Sequence, residues 1–166
     1  MADMKIPLRV GDTTSFSKTV GESDVYLFAG ITGDFSPNHV NEEIMKGTAY
    51  GRRVAHGVLS LGFASTTSTL MIENSGMTAV SYGYDRVRFV APILVGDTIT
   101  ANYTIAEIDE ETAKTYADIE VVNQRGELCT TARHILKSTL TAARKVVEPL
   151  RELSAGRHFS IQQKET

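Results

Sequence analysis

Asp34 and His39 lie five residues apart in the segment Gly33-Asp34-Phe35-Ser36-Pro37-Asn38-His39. A carboxylate and an imidazole are the side chains best suited to moving protons near neutral pH. Pro37, between them, fixes one backbone angle and so reduces the entropy lost in aligning the pair. Seventeen positions after His39 comes His56-Gly57-Val58-Leu59, the opening of a long run of apolar and small residues. If that run is a helix, its first N–H groups are unpaired and its dipole favours developing negative charge. A base, an acid and an anion-stabilising helix start together suit the addition or removal of water beside a carbonyl. Each residue also has a plainer reading. Asp34 fits a turn or a cap, and His56 fits a group that orients the loop or caps the helix. Asp34 and His39 supply two metal ligands with no third nearby in sequence, so no metal is expected. Val58-Leu59-Ser60-Leu61-Gly62 lacks the first glycine of a nucleophile elbow, and no phosphate-binding glycine loop occurs.

The elements that would position these groups follow from periodicity. Residues 8–20 read as a first strand, with Phe16 and Val20 on one side. Val25, Phe28 and Ala29 fall at helical spacing after a Ser23 or Asp24 cap, and Gly33 stops that helix. Residues 34–41 read as a proline-containing loop, and residues 42–46 as one helical turn. A central helix over about 54–73 is apolar or small nearly all round, so it should be wrapped on most sides. Beyond Met77 the period becomes two. Strands are expected over 82–90, then with Ile99, Ala101, Tyr103 and Ile105 on one face, and then with Ala117, Ile119 and Val121 alternating with Asp118 and Glu120. Asn123-Gln124-Arg125-Gly126 is a hairpin signal leading into Leu128, Thr130, Ala132 and His134. Cys129 reads as a small core residue. The fold class is α+β, with one antiparallel sheet curled round one long helix. The domain spans 1–153, with its core at about 10–138 and a further helix at 139–153. Residues 154–166 read as a tail; His134 and His158 carry no signal.

The chain has 166 residues, 22% charged and 42% hydrophobic, with a net charge of −3. That is enough for one domain with a core. It gives no reason to expect nucleic acid or an anionic membrane as partner. Cys129 is the single cysteine, so no internal disulfide forms, which fits a reducing compartment. The N-terminus lacks the apolar stretch of a signal peptide. Val54–Ile72 is uncharged but holds seven His, Ser or Thr residues and two glycines, too polar for lipid. The expected location is the cytoplasm.

Three blocks in order carry a resemblance. Phe28-Ala29-Gly30-Ile31-Thr32-Gly33-Asp34-Phe35-Ser36-Pro37-Asn38-His39, followed by Ala49, resembles the signature of the (R)-specific enoyl-CoA hydratases, the MaoC-like dehydratases. Gly51-Arg52-Arg53-Val54-Ala55-His56-Gly57-Val58-Leu59-Ser60 is similar to their second block. Phe89-Val90-Ala91-Pro92-Ile93-Leu94-Val95-Gly96-Asp97-Thr98 is similar to their third. Ser36 stands where the signature usually has Asn, and Asn38 where it usually has an aliphatic residue. Both departures leave Asp34 and His39 in place and bear more on substrate than on reaction class.

The resemblance implies a hot-dog fold and a homodimer, or a dimer of dimers, with sheets joined edge to edge and the thioester site near the subunit boundary. It implies reversible hydration of a trans-2-enoyl-CoA to an (R)-3-hydroxyacyl-CoA, with the coenzyme A thioester as substrate and no metal or organic cofactor. Asp34 would be the base, with His39 holding the same water. The Gly57 N–H would be the oxyanion donor, and Ser65 would lie near the catalytic water. His56, Arg86 and Arg88 are further candidates for substrate or water contacts. Arg52, Arg53, Arg86 and Arg88 fit either solvated charges or partners of the coenzyme A phosphates. A thioesterase on the same fold and a non-catalytic acyl-CoA-binding subunit stay open as alternatives. Acyl length, branching and a second substrate carboxylate are not legible. Residues 74–84 are expected to border the acyl pocket.

Overall fold

The computed structural model of the chain describes residues 5–139. The expected helix beyond residue 139, the tail at 154–166 and His158 lie outside the described residues. Strand β1 (Thr13–Thr19) is followed by α1 (Glu22–Thr32), the single turns α2 (Pro37–Val40) and α3 (Glu42–Lys46), and the long helix α4 (Gly57–Ser75). Four strands complete the fold: β2 (Ala79–Phe89), β3 (Thr98–Asp109), β4 (Lys114–Asn123) and β5 (Leu128–Ser138). They form one antiparallel sheet in the order β1-β3-β4-β5-β2, with β1 and β2 at its edges.

Alternation decides which face of the sheet meets α4. Ile99, Ala101, Tyr103 and Ile105 of β3 are buried, as are Ala117, Ile119 and Val121 of β4, while Asp118 and Glu120 point to solvent. In β5 the inward set is Thr130, Ala132, His134, Leu136 and Ser138, and Cys129 is buried as well. Helix α4 packs on this face against β1, β3, β4 and β5. Its buried residues, Leu59, Ser60, Ala64, Thr67, Ser68 and Met71, recur at helical spacing along one stripe. Val58 and Gly62 are exposed, so the single chain wraps α4 on one side rather than on most sides.

Boundaries differ from the sequence reading where backbone pairing overrides composition. Helix α4 starts at Gly57 rather than near Val54, because Val54 bridges Leu94 and the Ala55 N–H donates to the Ile93 carbonyl at 2.7 Å. Strand β2 begins at Ala79 and carries irregularities between Ser81 and Gly83 and between Asp85 and Arg88. Arg86 sits in the second, at φ 53°. Extra residues of this kind kink and twist an edge strand.

One inward-facing histidine of β5 has partners that the sequence does not disclose. His134, fully buried, has Nε2 2.8 Å from the Ser81 hydroxyl and Nδ1 3.1 Å from the Tyr103 hydroxyl. The Tyr84 ring stacks on it at 4.4 Å. Burial favours the neutral imidazole and lowers its pKa from 6.5 to about 4. Burial also raises the Tyr103 phenol well above its ordinary value.

Candidate active site

Gly33 ends α1 in the left-handed region, at φ 80°. Its N–H donates to the Ala29 carbonyl at 2.8 Å, and the chain turns there into the loop that holds Asp34. The Ser36 N–H donates to Asp34 Oδ1 at 3.2 Å. This Asx-type turn leaves Oδ2 free. Pro37 opens α2, where its missing N–H costs nothing. This one turn, hidden in the sequence by the proline, carries His39 inward until it is buried. Asp34 remains half exposed, at 51% of its side chain.

The hydrogen bonds assign the His39 tautomer. Nδ1 lies 2.7 Å from the Val54 carbonyl. A carbonyl only accepts, so Nδ1 carries a proton. In the neutral ring the lone pair is then on Nε2. That atom faces the Asn38 amide nitrogen at 3.2 Å and Asp34 Oδ2 at 3.8 Å. The second distance is too long for a hydrogen bond and short enough for one water oxygen to reach both atoms.

His56 occupies the N-cap position of α4 and is 3% exposed. Its Nε2–H donates to the Asp34 backbone carbonyl at 2.9 Å, and its ring stacks on that of His39 with centroids 3.7 Å apart. His56 Nδ1 is buried and has no partner among the described residues. Asp34, His39 and His56 therefore place ligand-type atoms within 4.8 Å of one another. Spacing along the chain offers only Asp34 and His39, but the fold brings in a third such group, His56, from twenty-two residues beyond Asp34.

A cavity of about 330 Å³ opens beside this cluster. His39, Asn38, Gly57, Phe89, Ile93 and Thr130 are among the residues that line it. Gly57 is the first residue of α4, where N–H groups lack intrahelical acceptors. Ser65, Arg86 and Arg88 are not among the described residues lining this cavity. Ser65 lies eight residues along α4, about 12 Å by helical rise. Arg86 and Arg88 are exposed on β2, and the Arg88 guanidinium turns onto the Val87 carbonyl at 2.7 Å. Arg52 donates to the Val95 carbonyl at 2.9 Å. Arg53 is an internal clamp, bonded to Glu22 of α1, Glu42 of α3 and the Tyr26 hydroxyl. Its hydrogen bond holds the Glu42 carboxyl below the usual range. Sequence reading missed Phe89 as a wall of the site and Asn38 as a direct neighbour of His39. Asn38 was visible only as a departure from a signature.

Residues 4–124 match the family model described as MaoC like domain. The chain is 38% identical over 104 residues to the (R)-specific enoyl-CoA hydratase of Rhodospirillum rubrum, covering 63% of this chain and 70% of that protein. It is 34% identical over 104 residues to the 3-hydroxybutyryl-CoA dehydratase of Methylorubrum extorquens, covering 63% of this chain and 64% of that one. The solved (R)-hydratase from A. caviae, described as involved in PHA biosynthesis, superposes with a TM-score of 0.69 at 28% identity. That superposition covers 78% of this chain and 96% of the other. The sheet-on-helix architecture is the expected hot-dog fold, and the chain belongs to the MaoC-like domain family.

Proposed function

We propose that the protein is a hydro-lyase that reversibly hydrates a trans-2-enoyl-CoA to an (R)-3-hydroxyacyl-CoA. The observation that carries the reading is the 3.8 Å gap between Asp34 Oδ2 and His39 Nε2, beside a largely apolar cavity. A water held in that gap loses a proton to Asp34 as its oxygen bonds to C3, and the pair returns a proton to C2. Negative charge develops meanwhile on the thioester oxygen, where the Gly57 N–H and the α4 dipole stabilise it. The relatives named as (R)-specific enoyl-CoA hydratases support both the reaction and its stereochemistry.

The reaction needs no metal and no organic cofactor in this reading, and the coenzyme A thioester enters as substrate. The working form is a homodimer, or a dimer of such dimers, in the cytoplasm. Strand β2 supports the dimer, because an unpaired sheet edge is a template for joining a second chain. It lies at the edge of the sheet with Val80 and Tyr82 exposed at 53% and 62%. No helix among the described residues is long and apolar enough to cross a membrane.

The test is a spectrophotometric hydration assay across enoyl-CoAs of about four to twelve carbons, branched and dicarboxylic ones included, with chiral analysis of the product. Loss of the enoyl absorbance with formation of the (R)-alcohol supports the proposal. Steady release of free coenzyme A without hydration points instead to a thioesterase. Binding without turnover points to an acyl-CoA-binding subunit.

A further inference from the structure

Phe89 closes β2, and its ring rests on the first turn of α4. A Cβ placed on Gly57 would lie 2.9 Å from Phe89 Cγ, 3.0 Å from Cδ2 and 3.1 Å from Cδ1. Three near-equal distances put the face of the ring, not its edge, against the Gly57 Cα. The contact is held from behind. Phe89 pairs with Thr130 of β5, and the Thr130 hydroxyl is 2.8 Å from the Ser60 hydroxyl on α4. The next two residues are tied as well, the Val90 and Ala91 N–H groups donating to the Cys129 carbonyl at 2.8 and 3.3 Å. Phe89 is 48% exposed, so it forms a wall of the cavity and not part of the core.

This wall borders the same cavity as His39 and Gly57. In the proposed reaction the thioester oxygen meets the Gly57 N–H, while C3 meets the water held by Asp34 and His39. C2 lies between those two points in the substrate, and Phe89 lines the cavity together with the Gly57 and His39 that mark them. We infer that Phe89 is a specificity-determining residue that limits substitution at C2, so that enoyl thioesters bearing a 2-methyl group are excluded. The inference rests on the proposed hydratase reading. Excluding one methyl group from an apolar site typically yields about 10- to 200-fold discrimination.

The test compares hydration of crotonyl-CoA and 2-methylcrotonyl-CoA by wild type, Phe89→Leu and Phe89→Ala. The expected result is that kcat/KM for the 2-methyl substrate, relative to crotonyl-CoA, rises at least about fivefold in Phe89→Ala, with Phe89→Leu intermediate. A purely structural role lowers both substrates alike and leaves the ratio where it was. Phe89→Leu keeps an apolar side chain at the contact, so it reports even if the alanine variant does not fold; its ratio must then exceed that of wild type. A rise smaller than fivefold in a folded alanine variant, or a wild type that already accepts both substrates equally, overturns the inference and leaves the hydratase reading intact. A wild type that hydrates no enoyl-CoA removes both.

Discussion

His39 and His56 stack with ring centroids 3.7 Å apart and planes inclined by 26°. Each ring is buried, and each donates one N–H to a backbone carbonyl: His39 to Val54, His56 to Asp34. The two anchors cross. His56 holds the backbone of the residue that carries the carboxylate, and its ring backs the imidazole facing that carboxylate.

This arrangement predicts that His56 positions the site and does not itself react. His56→Phe keeps the stacked face and loses the bond to the Asp34 carbonyl, whereas His56→Ala loses both. Small misplacements of reacting groups cost about a hundredfold. The expected falls in kcat are roughly tenfold for the phenylalanine variant and roughly a hundredfold for the alanine variant. Steady-state kinetics on crotonyl-CoA check the order. Equal activity in all three proteins would show that the stack does not position the site.

His134 gives a pH dependence of stability. Its folded pKa, about 4, lies below its unfolded value of 6.5, so the unfolded chain binds the extra proton first. Stability from this group is therefore complete above the unfolded value and is lost as the pH falls towards the folded one, by an amount on the order of 3 kcal/mol. Thermal melts of wild type and His134→Gln at pH 7.5 and pH 5 test the sign. Wild type should lose more stability across that interval than the variant does.

Asp34, His39 and His56 place ligand-type atoms within 4.8 Å of one another, an arrangement that a small cation could enter. The proposed mechanism routes every proton through side chains, so exhaustive chelation should leave kcat unchanged within about twofold. Activity lost with chelation and restored by one divalent metal would require a different mechanism.

The legible parts of the fold were those governed by strict alternation. Ile99, Ala101, Tyr103 and Ile105 all prove buried because period two leaves a strand little choice of face. The start of α4 was harder, since Val54 and Ala55 look helical by composition but pair with Leu94 and Ile93 before the helix begins. His134 could have been placed inward by its phase with Thr130 and Ala132, although a histidine in that phase reveals nothing of its Ser81 and Tyr103 partners. Asp34 and His39 were legible because a short loop forces them together. The places of His56 and Phe89 beside them depend on how separate segments pack, which spacing along the chain does not encode.

Asp34 and His39 are predicted to act together on one water molecule. Single-turnover hydration of crotonyl-CoA by Asp34→Asn and His39→Gln measures this, with thermal melts to check the fold. Each variant should be slower by about a hundredfold or more, with a cooperative melt showing that it is folded. Wild-type rates in both folded variants would show that the pair does not activate the water.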